Sequence, residues 1–375
     1  MNYSCIGTDA ELADLVESQA GCDVVVVDTE FMRRDTFFPQ AGLIQLCFSS
    51  APDMAWLVDP LTISDFEPLR TLFRDKQVTK VVHSASEDLE VFQRLLDCQP
   101  EPLFDTQRGA AFAGLGFGMG YQALIETVAG IQVEKDETRS DWLLRPLSDA
   151  QLQYAAADVI PLLPVYQELL EKLTALGRLD WVVEDGATAV NAAVQVDPAP
   201  WLRVKTAWKL KPRALSSLQR LCVWREQEAR RSDKPRNWIL QDKILMLIAQ
   251  RAPQTLEQLR QIPDMPAGLV RRAGEQLLAE VAAVTALDEA DLPSRLSPPL
   301  DAEQRRILKE LKGAAASIAE HWGVEPPALL PAKDYELMVR IGSGEELETP
   351  ARWLGWRQQE LIQPLLKAAG VAATQ

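Results

Sequence analysis

The chain has 375 residues, 47% of them hydrophobic and 25% charged, which is ordinary for a globular protein of two or three domains. No apolar run approaches the roughly 20 residues of a membrane span, and the start lacks the basic stretch of a secretory signal, so we expect a cytoplasmic protein. Five scattered cysteines and two histidines exclude a multi-histidine metal centre and argue against disulfides or a thiolate zinc site.

The first half of the chain alternates strand and helix signals. A β-branched run at residues 24–27 predicts a buried strand that ends at Asp28. Further strands are predicted at residues 43–48, 55–58, 80–82 and 103–104, and helices near 66–73, over 86–96 and from about 148 to 176. This alternation predicts an α/β domain over residues 1–185.

The second half has a helical pattern throughout. Residues 187–200 are rich in Ala and Val and end in Asp-Pro-Ala-Pro, which predicts a linker over 186–205. Helical domains are predicted over 206–292 and 293–375, with a joint at 294–299. Four residues of the first domain match four of the second at a constant offset of 90 positions, namely Ile239, Leu240, Lys243 and Leu247 with Leu329, Leu330, Lys333 and Leu337. Either a diverged repeat or chance would produce this match.

The net charge of −15 is unevenly distributed. Residues 1–190 hold 13 basic and 31 acidic side chains, whereas residues 201–251 hold 13 basic and only four acidic ones. The basic part is therefore the predicted contact for a polyanion, with the solvated face of a helical bundle as the alternative. The candidate contacts are Lys209, Lys211, Arg213, Arg230, Arg231 and Arg236.

Three short carboxylate motifs carry the predicted chemistry. Asp28 and Glu30 are two apart on a strand and so share one face of a sheet, while Tyr154 and Asp158 share one face of a helix. Asp88 lies near the start of another predicted helix. Each motif alone is more often a solvated surface feature. If the carboxylates converge, divalent cations would relieve their repulsion, and a metal pair can hydrolyse a phosphodiester.

The motifs Val-Asp-Thr-Glu-Phe, His-Ser-Ala-Ser-Glu-Asp and Tyr-Ala-Ala-Ala-Asp resemble, in this order, those of the ribonuclease D family of DEDDy 3′→5′ exonucleases. Residues 104–107 and 138–148 are similar to further stretches of that family. Residues 211–238 resemble an HRDC domain, and 293–375 are assigned as a second, diverged HRDC-like domain by position. The resemblance thus implies an α/β ribonuclease H-like exonuclease domain followed by one or two all-α HRDC-type helical domains.

The resemblance also implies trimming of the 3′ ends of structured RNA, chiefly tRNA precursors, with release of nucleoside 5′-monophosphates. It implies two Mg²⁺ or Mn²⁺ ions per site. Asp28 would bridge both ions, Glu30 and Asp158 would complete the ion nearer the attacking water, and Asp88 would serve the second ion, partly through water. Tyr154 would orient the nucleophilic water, because a phenol with a pKa of about 10 is a weak base.

Two other functions remain open at this stage. A DNA exonuclease would use the same carboxylates, because the 2′-hydroxyl contacts that distinguish RNA are not visible in a sequence. The second alternative is a non-catalytic nucleic-acid-binding module. The presence of all four carboxylates and Tyr154 argues against it. The sequence has no helicase phosphate loop, so we expect no nucleotide cofactor. We also expect no membrane partner and a monomeric RNA-binding enzyme.

Overall fold

A computed structural model of the chain describes residues 1–133 and 140–368. Thr138 and Arg139 of the family-like stretch, and the end of the predicted last domain, lie outside these ranges. The described chain forms two compact units. Unit 1 comprises Met1–Met32, Pro39–Gln195 and the chain from Leu300 onward, and unit 2 comprises Arg33–Phe38 and Val196–Pro299.

Unit 1 contains a mixed six-stranded sheet in the order β1-β4-β3-β2-β5-β6. The strands are β1 (Asn2–Ile6), β2 (Val24–Met32), β3 (Gln40–Phe48), β4 (Met54–Val58), β5 (Thr79–Val82) and β6 (Leu103–Asp105). Strand β2 lies between antiparallel β3 and parallel β5. Its alternate side chains enter two hydrophobic clusters, Val24 and Val26 on one face and Val25 and Val27 on the other. The central strand is therefore buried on both faces.

The helices of the same region cover both faces of the sheet. They are α1 (Asp9–Ser18), α2 (Glu67–Arg74), α3 (Ser86–Leu96), α4 (Thr106–Phe112), α5 (Tyr121–Ala129), α6 (Asp149–Val159), α7 (Leu162–Ala175) and α8 (Leu179–Ala193). Helix α6 packs with the cluster of Val26, and α3 packs with that of Val27. The two helices therefore approach β2 from opposite sides.

Three predicted elements differ from the observed ones. Strand β2 does not end at Asp28 but continues to Met32. The single helix predicted from 148 to 176 is two helices, because Pro161 lacks an N–H and restricts the residue before it. The predicted linker at 186–205 begins inside α8, which runs to Ala193. Gly186 allows α8 to pack closely on β6, since a Cβ at this position would lie 2.2 Å from the carbonyl oxygen of Leu103.

Unit 2 is a helical bundle with its own hydrophobic core. Its helices are α9 (Pro212–Ser232), α10 (Arg236–Ile239), α11 (Asp242–Arg251), α12 (Leu256–Arg260) and α13 (Ala267–Thr285). The segment Arg33–Phe38 belongs to this unit. The Asp233 carboxylate accepts hydrogen bonds from the backbone N–H groups of Phe37 and Phe38, both at 2.9 Å, and the Phe37 ring is buried in the core.

The C-terminal helices belong to unit 1. They are α14 (Ala302–Trp322), α15 (Pro326–Leu329), α16 (Ala332–Gly342) and α17 (Gln363–Ala368), with a π-helical turn over Gln358–Ile362. The first helix of this set begins and ends 90 residues after α9, and α15 is likewise offset by 90 from α10. The spacing noticed in the sequence thus extends to the bounds of the helices.

These C-terminal helices pack on α4 and α8. The Trp181 and Trp356 rings stack with centroids 4.1 Å apart. The Asp185 carboxylate accepts from the guanidinium groups of both Arg108 and Arg357. In the described ranges, no helix is both long and apolar enough to cross a bilayer.

Candidate active site

Strand β2 and helix α6 bring three predicted carboxylates together. Asp28 and Glu30 project from one face of β2, and Asp158 lies in the last turn of α6, which packs on that face. One carboxylate oxygen of each lies within 4.8 Å of the others. The pairing of β2 with β3 keeps its register from Asp28 through Glu30 and shifts only between Glu30 and Phe31, so both side chains point toward α6.

Local sequence positions helix α6. The Ser148 side chain accepts from the Gln151 N–H, and the Gln151 side chain accepts from the Ser148 N–H, which forms a capping box. At the other end, the Tyr121 hydroxyl donates to the carbonyl oxygen of Ala157, which precedes Asp158. The helix is thus held at both ends, which defines where Tyr154 and Asp158 lie.

Asp88 reaches the site from the opposite face of the sheet. It lies in the first turn of α3 and is 7% exposed, and its carboxylate accepts a hydrogen bond from the Thr29 hydroxyl. Thr29 lies between Asp28 and Glu30, so its side chain points away from theirs. Asp88 is therefore outside the three-residue group, but it is close enough to raise the pKa of both Asp28 and Glu30.

The turn before α3 is held by Asp105. Its carboxylate accepts from the backbone N–H groups of Ser84 and Ala85, both at 3.0 Å, and caps α4 through Gln107. Ser84 has a φ of 64°, a left-handed conformation that costs free energy for a residue with a side chain. The Asp105 contacts stabilise this turn and hence the start of the helix that carries Asp88.

Burial and mutual repulsion disfavour the charged forms of these carboxylates. Burial, followed by the neighbouring carboxylates, raises the pKa of Asp28 well above its usual value. Burial and the charge of Asp158 raise the pKa of Glu30 to about 9. Burial also raises the pKa of Asp88 and that of Asp158 to about 7 each. A bound cation would reverse this, because opposite charge favours ionised carboxylates.

The donor set suits a hard divalent cation. All candidate ligand atoms are carboxylate oxygens, which Mg²⁺ and Mn²⁺ prefer. Because these carboxylates repel one another, a bound cation would stabilise their ionised forms. Asp28, Glu30 and Asp158 could hold one ion, whereas Asp88 lies outside this group and contacts Thr29.

Tyr154 lies one helical turn before Asp158 and beside the carboxylates. Its hydroxyl is close enough to the Asp158 carboxylate to lower the pKa of Asp158, against the larger effect of burial, and its ring centroid lies 6.1 Å from that of Trp142. Burial, followed by the charges of Asp158 and Glu30, raises the pKa of Tyr154 above its usual 10. The phenol therefore stays protonated at neutral pH, which suits a role in orienting a water rather than removing its proton.

The six predicted RNA-contact residues all lie in unit 2 but have different environments. Arg230 and Arg236 both donate to the buried Glu226, and their guanidinium groups lie 4.9 and 4.6 Å from the Phe37 ring centroid. Arg213 donates to the carbonyl oxygens of Val284 and Leu287. These three arginines hold the bundle together, so any RNA contact would use donors left over from those bonds.

The other three candidates are exposed. Arg231 forms a two-fold hydrogen-bonded pair with Glu228, and the Lys209 ammonium lies 5.5 Å from the Trp208 ring centroid. Lys211 precedes α9 at its N-terminus. Lys209 and Lys211 are therefore the predicted contacts with the fewest competing bonds inside the described chain.

Sequence reasoning missed the residues that support the carboxylates. Thr29, Asp105 and Tyr121 each support an element of the candidate site through hydrogen bonds that join distant parts of the chain. Thr29 stands inside the Asp-Thr-Glu motif, and Asp105 stands in a stretch noted only for its family likeness. No spacing rule would have assigned them roles, because their partners are 59, 21 and 36 residues away.

Comparison with known proteins indicates the family of this chain. A family described as 3′–5′ exonuclease matches residues 3–174, and the HRDC domain family matches residues 214–281. The ribonuclease D of Pseudomonas paraeruginosa is 40% identical over 366 residues, which cover 97% of this chain and 96% of that protein. The ribonuclease D of Escherichia coli is 36% identical over 324 residues, 85% of each chain.

The fold agrees over nearly the full length. The crystal structure of Escherichia coli RNase D, described as an exoribonuclease involved in structured RNA processing, superposes with a TM-score of 0.90 at 32% identity and covers 99% of both chains. The predicted fold class, a ribonuclease H-like exonuclease domain followed by a helical HRDC domain, is thereby confirmed. The chain belongs to the ribonuclease D family and is a hydrolytic 3′→5′ exoribonuclease.

Proposed function

We propose that this exoribonuclease trims the 3′ ends of structured RNA, chiefly tRNA precursors, by two-metal-ion hydrolysis that releases nucleoside 5′-monophosphates. The observation that carries the proposal is the convergence of Asp28, Glu30 and Asp158, whose carboxylate oxygens lie within 4.8 Å of one another. Asp88 approaches the same strand from its other face.

The carboxylates and Tyr154 have different proposed roles. Divalent cations, when bound, polarise a phosphodiester and lower the pKa of a water. Asp28, whose pKa is raised by Asp88, Asp158 and Glu30, would contact both ions. Glu30 and Asp158, which raise the pKa of Tyr154, would hold the ion nearer the attacking water. Asp88, fixed by Thr29, would serve the second ion. Tyr154 would hold the attacking water in line with the scissile phosphate.

A 5′-labelled, 3′-extended tRNA tests this function. We expect progressive 3′ shortening by wild type with Mg²⁺ or Mn²⁺, none with EDTA, and none with Asp158→Ala. Asp149→Ala is the matched control, because Asp149 is an exposed carboxylate on the same helix. Intact RNA binding without shortening by wild type would mean that the carboxylates are relics. Matched RNA and DNA strands in the same assay establish sugar preference.

Unit 2 is the proposed RNA-binding part, through Lys209 and Lys211 and with lesser contributions from Arg213, Arg230, Arg231 and Arg236. Its support is the local excess of basic residues and the exposure of both lysines. Reversing Arg230 to Glu would be a poor test, since the new carboxylate would meet Glu226 in the bundle. The lysines are the sharper targets.

We further propose that the C-terminal helices are a second, diverged HRDC-like domain. The support is that α14 and α15 have the lengths of α9 and α10 at the same offset of 90 residues. We also propose that the enzyme acts in the cytoplasm as a monomer. Its five free cysteines suit a reducing compartment. Light scattering during gel filtration tests the monomer, and a second, heavier species would contradict it.

A further inference from the structure

Unit 2 has a basic groove of about 440 Å³ that is bordered by the segment Arg33–Phe38 and helix α10. Five arginines and one carboxylate provide the charged side chains of its lining: Arg33, Arg34, Arg203, Arg225, Arg236 and Asp242. We call this the α10 groove. Such an excess of guanidinium groups favours a ligand with negative charge.

The groove carries an exposed tryptophan. Trp238 is 64% exposed, whereas Trp224 in the same bundle is 8% exposed and donates from its indole to Gln276. The Trp238 ring lies on the short helix α10, with the Lys234 ammonium 5.8 Å from its centroid. A large aromatic face left in water beside cations offers a stacking surface for a base.

Arg34 differs from the other four groove arginines, whose guanidinium groups all have partners. Arg225 donates to Asp242, Arg236 donates to Glu226, and Arg203 pairs with Asp197. Arg33 donates to the carbonyl oxygen of Phe37. Arg34 is exposed and makes no hydrogen bond or ion pair within residues 1–133 and 140–368, so its charge is available to a phosphate.

We infer that the α10 groove binds one nucleotide of single-stranded RNA, with the base stacked on Trp238 and its phosphate paired with Arg34. The inference rests on the proposed function only in taking RNA as the ligand. The α10 groove would thus be a defined subsite for one nucleotide, whereas a basic surface alone would not fix the position of any nucleotide. Stacking is tolerant of base identity, so the subsite would hold any nucleotide.

The test measures RNA affinity without hydrolysis. A fluorescein-labelled oligoadenylate is titrated in EDTA with wild type, Trp238→Ala, Trp238→Phe and Arg34→Ala. We expect Trp238→Ala to weaken binding roughly fivefold to a hundredfold, and Trp238→Phe to retain most of it. Arg34→Ala should lower the salt slope by about 0.7, as loss of one single-strand phosphate contact does.

The control is Arg260→Ala, an exposed arginine of α12 in the same unit that pairs with Glu257 outside the groove. We expect wild-type binding from it. Wild-type affinity for Trp238→Ala would overturn the subsite. A wild-type enzyme that degrades no RNA would instead contradict the proposed function, and binding in EDTA would still report on Trp238.

An independent observation concerns Gln45. It lies on β3 directly opposite Asp28 on β2, and side chains of such antiparallel partners share one face. Its strand neighbours Leu43 and Cys47 belong to the same hydrophobic cluster as Ala155 and Val159 of α6. Gln45 therefore faces the layer in which Asp28, Glu30 and Asp158 meet.

The amide of Gln45 has no partner among the described residues. The residue is fully buried, and neither its Nε2 nor its Oε1 makes a hydrogen bond in the described part of the chain. An unpaired buried amide is destabilising, so such a group in a folded core calls for a specific partner. The carboxylate directly across the strand is a natural acceptor for its two N–H groups.

We propose that Gln45 is a positioning residue for the metal site. Its amide would donate to the Asp28 carboxylate when cations bind and so hold the rotamer in which Asp28 ligates them. Groups that orient a ligand in this way typically change metal affinity by about 10- to 100-fold when removed. This proposal rests on the metal site of the proposed function.

The test is Gln45→Met, which keeps the length and removes the amide. Equilibrium Mn²⁺ binding without RNA is followed by the paramagnetic resonance of the free ion. We expect at least about tenfold weaker binding, with no loss of stability in EDTA, because two unpaired polar groups are removed. Cys47→Val, a change on the same face of β3, should leave Mn²⁺ binding unaltered.

Wild-type Mn²⁺ affinity in Gln45→Met would overturn the positioning role alone. Absence of Mn²⁺ binding in the wild type would contradict the metal site itself. The two failures are therefore distinguishable.

Discussion

The two helical regions share a pattern of elements but differ in charge and in what they bury. Residues 212–251 hold nine basic and four acidic side chains, whereas residues 302–341, offset by 90, hold six of each. The first set forms unit 2 around its own core, and the second packs on α4 and α8 of unit 1. The same helical pattern thus forms a structural support in the C-terminal set and the proposed polyanion surface in unit 2.

The difference arises from a few contacts. On the C-terminal set, Trp356 stacks on Trp181, and Arg357 reaches the Asp185 carboxylate and the carbonyl oxygen of Leu329. In unit 2 the comparable buried carboxylate, Glu226, binds arginines of its own bundle. The stacking of Trp356 on Trp181 and the ion pair of Arg357 with Asp185 therefore hold the second set of helices on unit 1.

The largest expected effect is that of Asp185→Asn. It leaves Arg108 and Arg357 without their shared carboxylate in a site where Asp185 is 12% exposed, so we expect unit 1 to lose about 3 kcal/mol of unfolding free energy. Hydrogen exchange under increasing urea measures this in each unit separately. Asp180→Asn, at an exposed position of the same helix, should change little. Unaltered protection of α14 in Asp185→Asn would refute the support role.

Stability should depend on pH in opposite senses in the two units. The folded-state pKa is raised to about 9 for Glu30 and to about 7 for Asp88 and Asp158, from ordinary values of 4.5 and 3.8. In EDTA, the contribution of these groups to the free energy of unfolding is complete below their ordinary pKa values. It is lost as pH rises through their pKa values in the folded state. The slope is up to about 1.4 kcal/mol per pH unit for each proton.

Glu226 behaves in the opposite way. Burial alone would raise its pKa, but the hydrogen bonds from Arg236 and Arg230 lower it below 4.5. Its contribution to unit 2 is present above that value and is lost as pH falls through the folded pKa. Unfolding in EDTA measures both trends, for unit 1 between about pH 5 and pH 8 and for unit 2 as pH falls from about 5 toward 3. Mg²⁺ should abolish the decline of unit 1, and a unit 1 that gains stability with pH in EDTA would contradict the raised values.

A charge reversal compares the two surfaces for RNA. Lys209→Glu with Lys211→Glu should weaken RNA binding roughly tenfold and lower the salt slope by about 0.7 for each lost phosphate contact. Lys309→Glu with Lys312→Glu, on exposed positions of α14, is the matched control. Equal losses from both pairs would mean that net charge, and not unit 2, determines affinity.

The smallest expected effect is that of Arg220→Ala in unit 2. Its ion pair with Glu280 is 2.8 Å long, but the two side chains are 47% and 29% exposed. Solvent screening limits such a pair, so we expect less than about 1 kcal/mol of lost stability. Urea unfolding of unit 2 measures it. A loss as large as that of Asp185→Asn would show that exposure does not separate the two kinds of ion pair.

Much of the site could be predicted because its residues follow local rules. The helix over Ser86–Leu96 has the bounds that its apolar spacing predicted, and the alternation along β2 places Asp28 and Glu30 on one face. The end of β2 could not be predicted, since β3 pairs with it as far as Met32. Strand β1 and helix α1 also went unpredicted.

The sequence by itself determined the order of the carboxylate motifs, the helical character of the second half and the separation of acidic from basic regions, because these depend on residue type and short-range period. Only the tertiary structure decided that Asp88 meets Thr29 from the far face of the sheet and that Gln45 lies directly opposite Asp28. It also decided that Arg230 and Arg236 share Glu226 and that the last helices join unit 1. These contacts join residues distant in the chain, and their stability comes from burial that no local pattern encodes.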